Sequence, residues 1–428
     1  MADNKHDQAS TATRRSAMQA GVGAVLATGV PLFWSGEARA QKAKVDSVLN
    51  GAVSAGSVPG VVAAAADDKG VIYEGAFGKR NLVTGAAMTP DTMFWIASMT
   101  KAVTSVAAMQ MVEQGKLHLD KPISDVVLEL SATQVLEGFD ASGAPKLRAP
   151  KRPLTLRHLL THTAGFSYDL WNQDIARYMK HANIPGVGTC KNEALKTPLV
   201  ADPGDKWEYG IGIDWAGKAV ERVSGLSLDG YLRERIFGPL GMKDTGFILR
   251  PDQQARVASV HARDKDGKLS PIEFGMPQAP EFFMGGGGLY SVARDYLTFL
   301  RMLLAGGRLN NAQILKPETV ATINKNAMGN VNVTLLKTNM PDLTNDAEFF
   351  PGTVKKWGLA YMINTQDVPG GRSAGSLAWA GLANTYFWLD PKKKVTGVIL
   401  TQILPFADHK TLQLLADFES AVYKNGRA

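Results

Sequence analysis

Cysteine is almost absent. The 428-residue chain carries one, Cys190, which excludes an internal disulfide framework and a Cys-rich zinc site. An excess of one charge sign is also slight. The 47 basic and 40 acidic side chains leave +7, scattered rather than gathered on a basic face with interleaved aromatics. That argues against nucleic acid as a partner. The one basic run, Lys392-Lys393-Lys394, follows Asp390-Pro391 and reads as a turn between strands. No internal repeat and no low-complexity linker occurs. After residue 40 there is no apolar, uncharged stretch of 18 residues, so the mature chain is expected to be soluble. The H-E-x-x-H metal motif is missing too. His158 and His162 are spaced i, i+4, but Leu159 stands where the glutamate would be. They read as satisfied histidines at a helix end, and no metal or cofactor is expected.

The first 40 residues read as an address. Arg14-Arg15 precede an uncharged stretch from Ser16 to Gly36, rich in Ala, Gly and Val, which ends at Ala38-Arg39-Ala40 before Gln41. This is a positive region, an apolar region and a small-x-small cleavage site, with the paired arginines favouring twin-arginine export. A membrane anchor is disfavoured by Gly21, Gly23, Gly29 and Pro31. The expectation is cleavage near Ala40, a periplasmic or secreted location, and only transient membrane contact.

Beyond that, 45% hydrophobic residues supply ample core. Val61–Ala66 and Gly70–Gly78 read as two strands around the Asp67-Asp68-Lys69-Gly70 turn. Ser98–Glu113 reads as a buried helix stopped at Gly115. Residues 116–281 carry helical patterns between Pro/Gly loops. Tyr290–Leu304 is amphipathic. Leu377–Trp379, Thr385–Leu389 and Val395–Ile403 look like strands, and Lys410–Tyr423 like a closing helix. Strands at both ends and helices between predict an α/β part (41–115 and 282–428) with a helical insertion (116–281).

Ser98-Met99-Thr100-Lys101 is the only S-x-x-K in the chain. A helix start offers free N–H groups and a positive dipole end to a developing anion. Lys101, one turn on, lies on the same face. In a buried helix its pKa should fall towards that of a proton acceptor. The plainer reading is a serine helix cap with a snorkelling lysine. Tyr209, after the Pro203-Gly204 turn, shifts the balance. It can share the base role, since a nearby cation favours phenolate. Trp379-Ala380-Gly381 lies in a strand, where Gly381 permits close backbone approach. The Leu382 amide can then pair with the Ser98 amide as an oxyanion hole. Gly371-Arg372-Ser373-Ala374-Gly375 also matches G-x-S-x-G, and a triad Ser373, Asp390, His409 can be drawn. The segment lacks the strand-then-helix context of a nucleophile elbow and reads as a glycine-rich turn.

With these residues in view, the chain resembles the serine β-lactamase and penicillin-binding-protein superfamily. It looks most like the class C-like family VIII carboxylesterases. The resemblance also rests on Leu159–Gly165, Phe237–Met242, Gly285–Ser291 and Asn384–Trp388. It implies a class C-like fold, an antiparallel sheet flanked by helices with a helical insertion. It implies Ser98 as nucleophile, Lys101 and Tyr209 as the base pair, an acyl-enzyme, and no metal. Two departures stand out. Ile211 replaces the asparagine of Y-x-N, and Trp379-Ala380-Gly381 replaces K-T-G. The lactam amide and carboxylate lose their partners there, which favours a small-molecule ester as substrate. The alternatives are a β-lactamase or D-Ala-D-Ala peptidase, an amide-oligomer hydrolase, a transesterase, and a binding or sensor protein without turnover.

Overall fold

The computed structural model describes residues 36–424. Arg14, Arg15 and most of the apolar stretch after them lie outside the described residues. The expected cleavage point falls within helix α1 (Gly36–Ser54).

Seven strands form one antiparallel sheet. They are β1 (Gly60–Asp67), β2 (Val71–Gly78), β3 (Lys355–Trp357), β4 (Met362–Asn364), β5 (Leu377–Gly381), β6 (Thr385–Asp390) and β7 (Val395–Leu400). Their spatial order is β3-β4-β5-β6-β7-β1-β2. The N-terminal hairpin therefore docks beside the last long strand, with Ala64 opposite Val398. β1 is a run of Val and Ala buried on both faces, as a central strand covered from two sides must be.

Alternation along β6 shows where the helices lie. Phe387 meets Tyr296 of one helix at a ring distance of 5.4 Å, while its neighbour Trp388 meets Phe418 of another at 5.5 Å. Successive strand residues point to opposite faces. The helix of Ala293–Leu304 and the helix of His409–Tyr423 therefore cover opposite faces. Helix α2 (Thr100–Glu113) is buried from Thr100 to Met111, as its all-round apolar sequence predicts. Helix α4 (Gly212–Ser224) packs directly against it, and a short helix α3 (Leu156–Leu160) packs in turn on α4.

The middle of the chain is less helical than its sequence suggests. Val135–Phe139 and Pro145–Arg148 form a hairpin, as do His261–Arg263 and Leu269–Pro271. His261–Arg263 also pairs in parallel with Ile403–Leu404, so this part of the middle segment is tied to the C-terminal region. These strands are three to five residues long, too short to impose a readable period of two.

Candidate active site

Ser98 sits in a single 3₁₀ turn, Ala97–Met99, that runs directly into α2. Ala97 before it holds φ 43°, a strained value for a residue with a Cβ. The turn is braced from several sides. Tyr296 donates to the Met99 carbonyl at 2.9 Å, and the Trp95 indole donates to the Gly287 carbonyl at 2.7 Å. The Leu289 amide donates to the Thr100 hydroxyl at 3.1 Å. Neither the turn nor α2 carries a side-chain cap, so Ser98 is not a capping serine.

Lys101 does not snorkel; it is 0% exposed. Its Nζ lies 3.1 Å from Ser98 Oγ, 3.0 Å from the Tyr168 hydroxyl and 2.6 Å from the Gly286 carbonyl. Burial pushes its pKa down, and the charge of Asp214 opposes that in part. Counting protons shows what this can do. An ammonium donates to all three oxygens, leaving the Ser98 hydroxyl to donate to Tyr209, which it also reaches. A neutral amine keeps two N–H groups for Gly286 and Tyr168 and turns its lone pair to Ser98. Rotation of one hydroxyl then delivers the serine proton to the amine.

Tyr209 is held by the indole of Trp379, whose Nε1–H donates to the phenol oxygen at 2.9 Å. Its ring packs against Trp379 at 5.0 Å and His162 at 4.6 Å. Burial opposes the expected phenolate. Burial pushes the Tyr209 hydroxyl well up, and Lys101 faces the ring, 4.6 Å from its centroid. The cation thus meets the π-face rather than the phenol oxygen, so it gives a phenolate no direct partner.

β5 brings the remaining groups. A Cβ on Gly381 would lie 2.3 Å from the Ile96 carbonyl, so only glycine lets the strand approach the Ser98 turn this closely. The next residue, Leu382, lines the cavity with Ser98 and Trp379. Among the described residues no group accepts from the Ser98 or Leu382 amides. Ile211 is placed differently from its expected role. It precedes α4, is 2% exposed in the core, and does not line the cavity. A side chain turned into the core cannot meet a substrate.

The cavity above Ser98 measures about 300 Å³. Trp95, Trp171, Phe274, Met340, Leu343 and Phe406 supply much of its wall. No Lys, Arg or His lines it, and Asp169 is its one carboxylate. Much of this wall comes from irregular segments with no periodic signature. Tyr168 and Asp214 were also not apparent from the sequence. Asp214 reads as an ordinary acid in a helix's first turn, and Tyr168 as a core tyrosine following the Leu159–Gly165 motif.

The competing motifs resolve as turns and core. Ser373 donates its amide to Asp390 at 2.8 Å in a turn before β5, and His409 starts the last helix; among the described residues no hydrogen bond joins His409 to either. His162 lies beyond the end of α3 with φ 56°, and neither ring nitrogen finds a partner among the described residues. It is therefore not the satisfied helix-end histidine expected. Burial, with Lys101 nearby, holds it neutral. No group of three or more His, Cys, Asp or Glu able to hold a metal occurs among the described residues.

A family model described as Beta-lactamase matches residues 45–419. A lovastatin esterase of Penicillium rubens is 32% identical over 89% of this chain and 98% of its own. A monacolin J acid methylbutanoyltransferase of Aspergillus terreus is 33% identical over 89% of this chain and 95% of its own. The structure of simvastatin synthase (LovD) from Aspergillus terreus superposes with a TM-score of 0.77 at 31% identity, covering 90% of this chain and 99% of that one. With the match running along nearly its whole described length, the chain belongs to the Beta-lactamase family and is a serine hydrolase of that family.

Proposed function

We propose that the enzyme cleaves uncharged carboxylic esters through an acyl-enzyme on Ser98. The observation that carries this is the Ser98 hydroxyl 3.1 Å from a fully buried lysine amine, at the floor of a cavity without a cation. Ser98 Oγ attacks the ester carbonyl while its proton passes to neutral Lys101. The carbonyl oxygen, now an anion, takes hydrogen bonds from the Ser98 and Leu382 amides. The C–O bond breaks and the leaving alkoxide takes up the proton held on Lys101, while the Tyr209 hydroxyl beside Ser98 hydrogen-bonds the leaving oxygen. Water repeats the sequence in reverse to free the acid. Apolar walls suit an acyl chain and give no partner to a carboxylate. Turnover of p-nitrophenyl butyrate by the wild type, and its loss in Ser98→Ala, tests the reading. Undiminished turnover by Ser98→Ala overturns it.

A second alcohol can replace water as acceptor. The apolar, aromatic wall favours this, and one relative is named as a methylbutanoyltransferase. Adding a primary alcohol to the assay should divert product from acid to ester. Export is part of the same proposal. Arg14-Arg15 and Ala38-Arg39-Ala40 support delivery of the folded enzyme to the periplasm or beyond.

A further inference from the structure

We propose that Asp214 is a positioning residue for Lys101: its carboxylate holds Gly286 in place as the lysine's acceptor and supplies the negative charge that faces the amine. Asp214 lies in the first turn of α4 and is 1% exposed. Its Oδ1 accepts the Gly286 amide at 2.8 Å. The carbonyl of that same glycine accepts Lys101 Nζ at 2.6 Å, the shortest of the lysine's three contacts. Carboxylate and amine therefore grip opposite ends of one residue. That residue must be glycine. A Cβ there would lie 2.5 Å from Asp214 Oδ2 and 3.0 Å from the Tyr168 hydroxyl.

Holding Gly286 alone does not require an acid. A neutral amide oxygen would accept the same N–H, without the cost of a buried charge. Helix-dipole complementarity does not require burial either. Yet Asp214 Oδ2 is buried with no hydrogen-bond partner among the described residues. The unpaired oxygen makes sense as a charge directed at a cation. The ionisable groups facing Asp214 are Lys101 from α2, Tyr168, Tyr209 and Cys190. Lys101 is the one base among them. The amine also faces His162, which burial keeps neutral. Burial moves Lys101 down and Asp214 up, and each charge opposes the other's shift. The acid thus keeps a fully buried amine basic enough to take the serine proton.

The sign follows. Acylation needs the neutral amine, so its rate falls as pH drops through the Lys101 pKa. Asp214 raises that pKa, and removing its charge lowers it. In Asp214→Asn the acid limb should move to lower pH by about one unit or more. The alkaline plateau should stay within roughly tenfold of wild type, because the amide oxygen still holds Gly286. The experiment measures the rate of Ser98 labelling by a fluorophosphonate against pH in the full chain. Asp214→Ser is the second variant, should the asparagine protein not fold. It removes the charge and should move the limb the same way, with a lower plateau. An unmoved limb, or one moved to higher pH, overturns the proposal. The inference rests on Ser98 and Lys101 acting as proposed above. Absence of label on Ser98 in the wild type would defeat that reading, whereas labelled Ser98 with an unmoved limb defeats only this one.

Discussion

Replacing Trp379 by phenylalanine removes one N–H and keeps an aromatic ring against Tyr209. The bond lost is the 2.9 Å contact from the indole to the Tyr209 oxygen. Its worth depends on what charge that oxygen carries in the rate-limiting transition state. A bond between neutral groups contributes about 0.5–1.5 kcal/mol, and one to a charged group about 1.5–3 kcal/mol. At about 1.36 kcal/mol per tenfold, the neutral case lowers kcat/KM by about 2- to 13-fold, and the charged case by about 13- to 160-fold. Burial pushes the Tyr209 hydroxyl up and Lys101 faces the ring rather than the oxygen. The account therefore predicts the smaller loss, since Lys101 takes the serine proton. Trimming the buried indole also costs stability on the order of 1 kcal/mol, so urea unfolding should accompany the kinetics. The assay is kcat/KM for p-nitrophenyl butyrate on folded enzyme. A loss beyond 100-fold with intact folding would show Tyr209 acting as a phenolate and refute this proton path.

Lys101→Met and Tyr209→Phe should each lower kcat by several orders of magnitude, and the double variant little further, because both serve one proton; full additivity in a double-mutant cycle would show separate roles. Nitrocefin should react with kcat/KM at least about tenfold below p-nitrophenyl butyrate, because its carboxylate finds no cation in the cavity wall and loses about 1.5–3 kcal/mol of charge-assisted bonding; parity between the two substrates in side-by-side kinetics would contradict the pocket argument. Arg14→Lys with Arg15→Lys should trap precursor in the cytoplasm, while N-terminal sequencing of exported wild-type enzyme should begin at Gln41; unchanged export of the double variant would point to another route.

Much of the framework was legible because its signals are local. The Asp67–Gly70 turn, the all-round apolar helix after Ser98 and the closing strands are each written within a few adjacent residues. The Ser98–Lys101 contact was legible for the same reason, since one helical turn places Lys101 beneath Ser98. What sequence could not show is how distant segments meet. Lys101 owes two of its three contacts to Tyr168 and Gly286, 67 and 185 positions away in the chain. Asp214 is joined to the site through the backbone of Gly286, a contact 72 positions away in the chain. Ile211 illustrates the opposite error. A motif position next but one to Tyr209 suggested a substrate contact, yet the start of α4 turns that side chain inward. For Tyr209, proximity of a cation alone does not favour phenolate; its direction and the burial of the oxygen also count, and neither is written in the sequence.

The central claim is that Ser98 carries the acyl group. The direct measurement mixes enzyme with p-nitrophenyl butyrate, quenches in acid during turnover, and maps tryptic peptides by mass. The account predicts a butyryl group on the peptide that ends at Lys101, absent in Ser98→Ala, and released on chasing with buffer before the quench. An acyl group on the peptide containing Ser373, or turnover by Ser98→Ala at the wild-type rate, would contradict it.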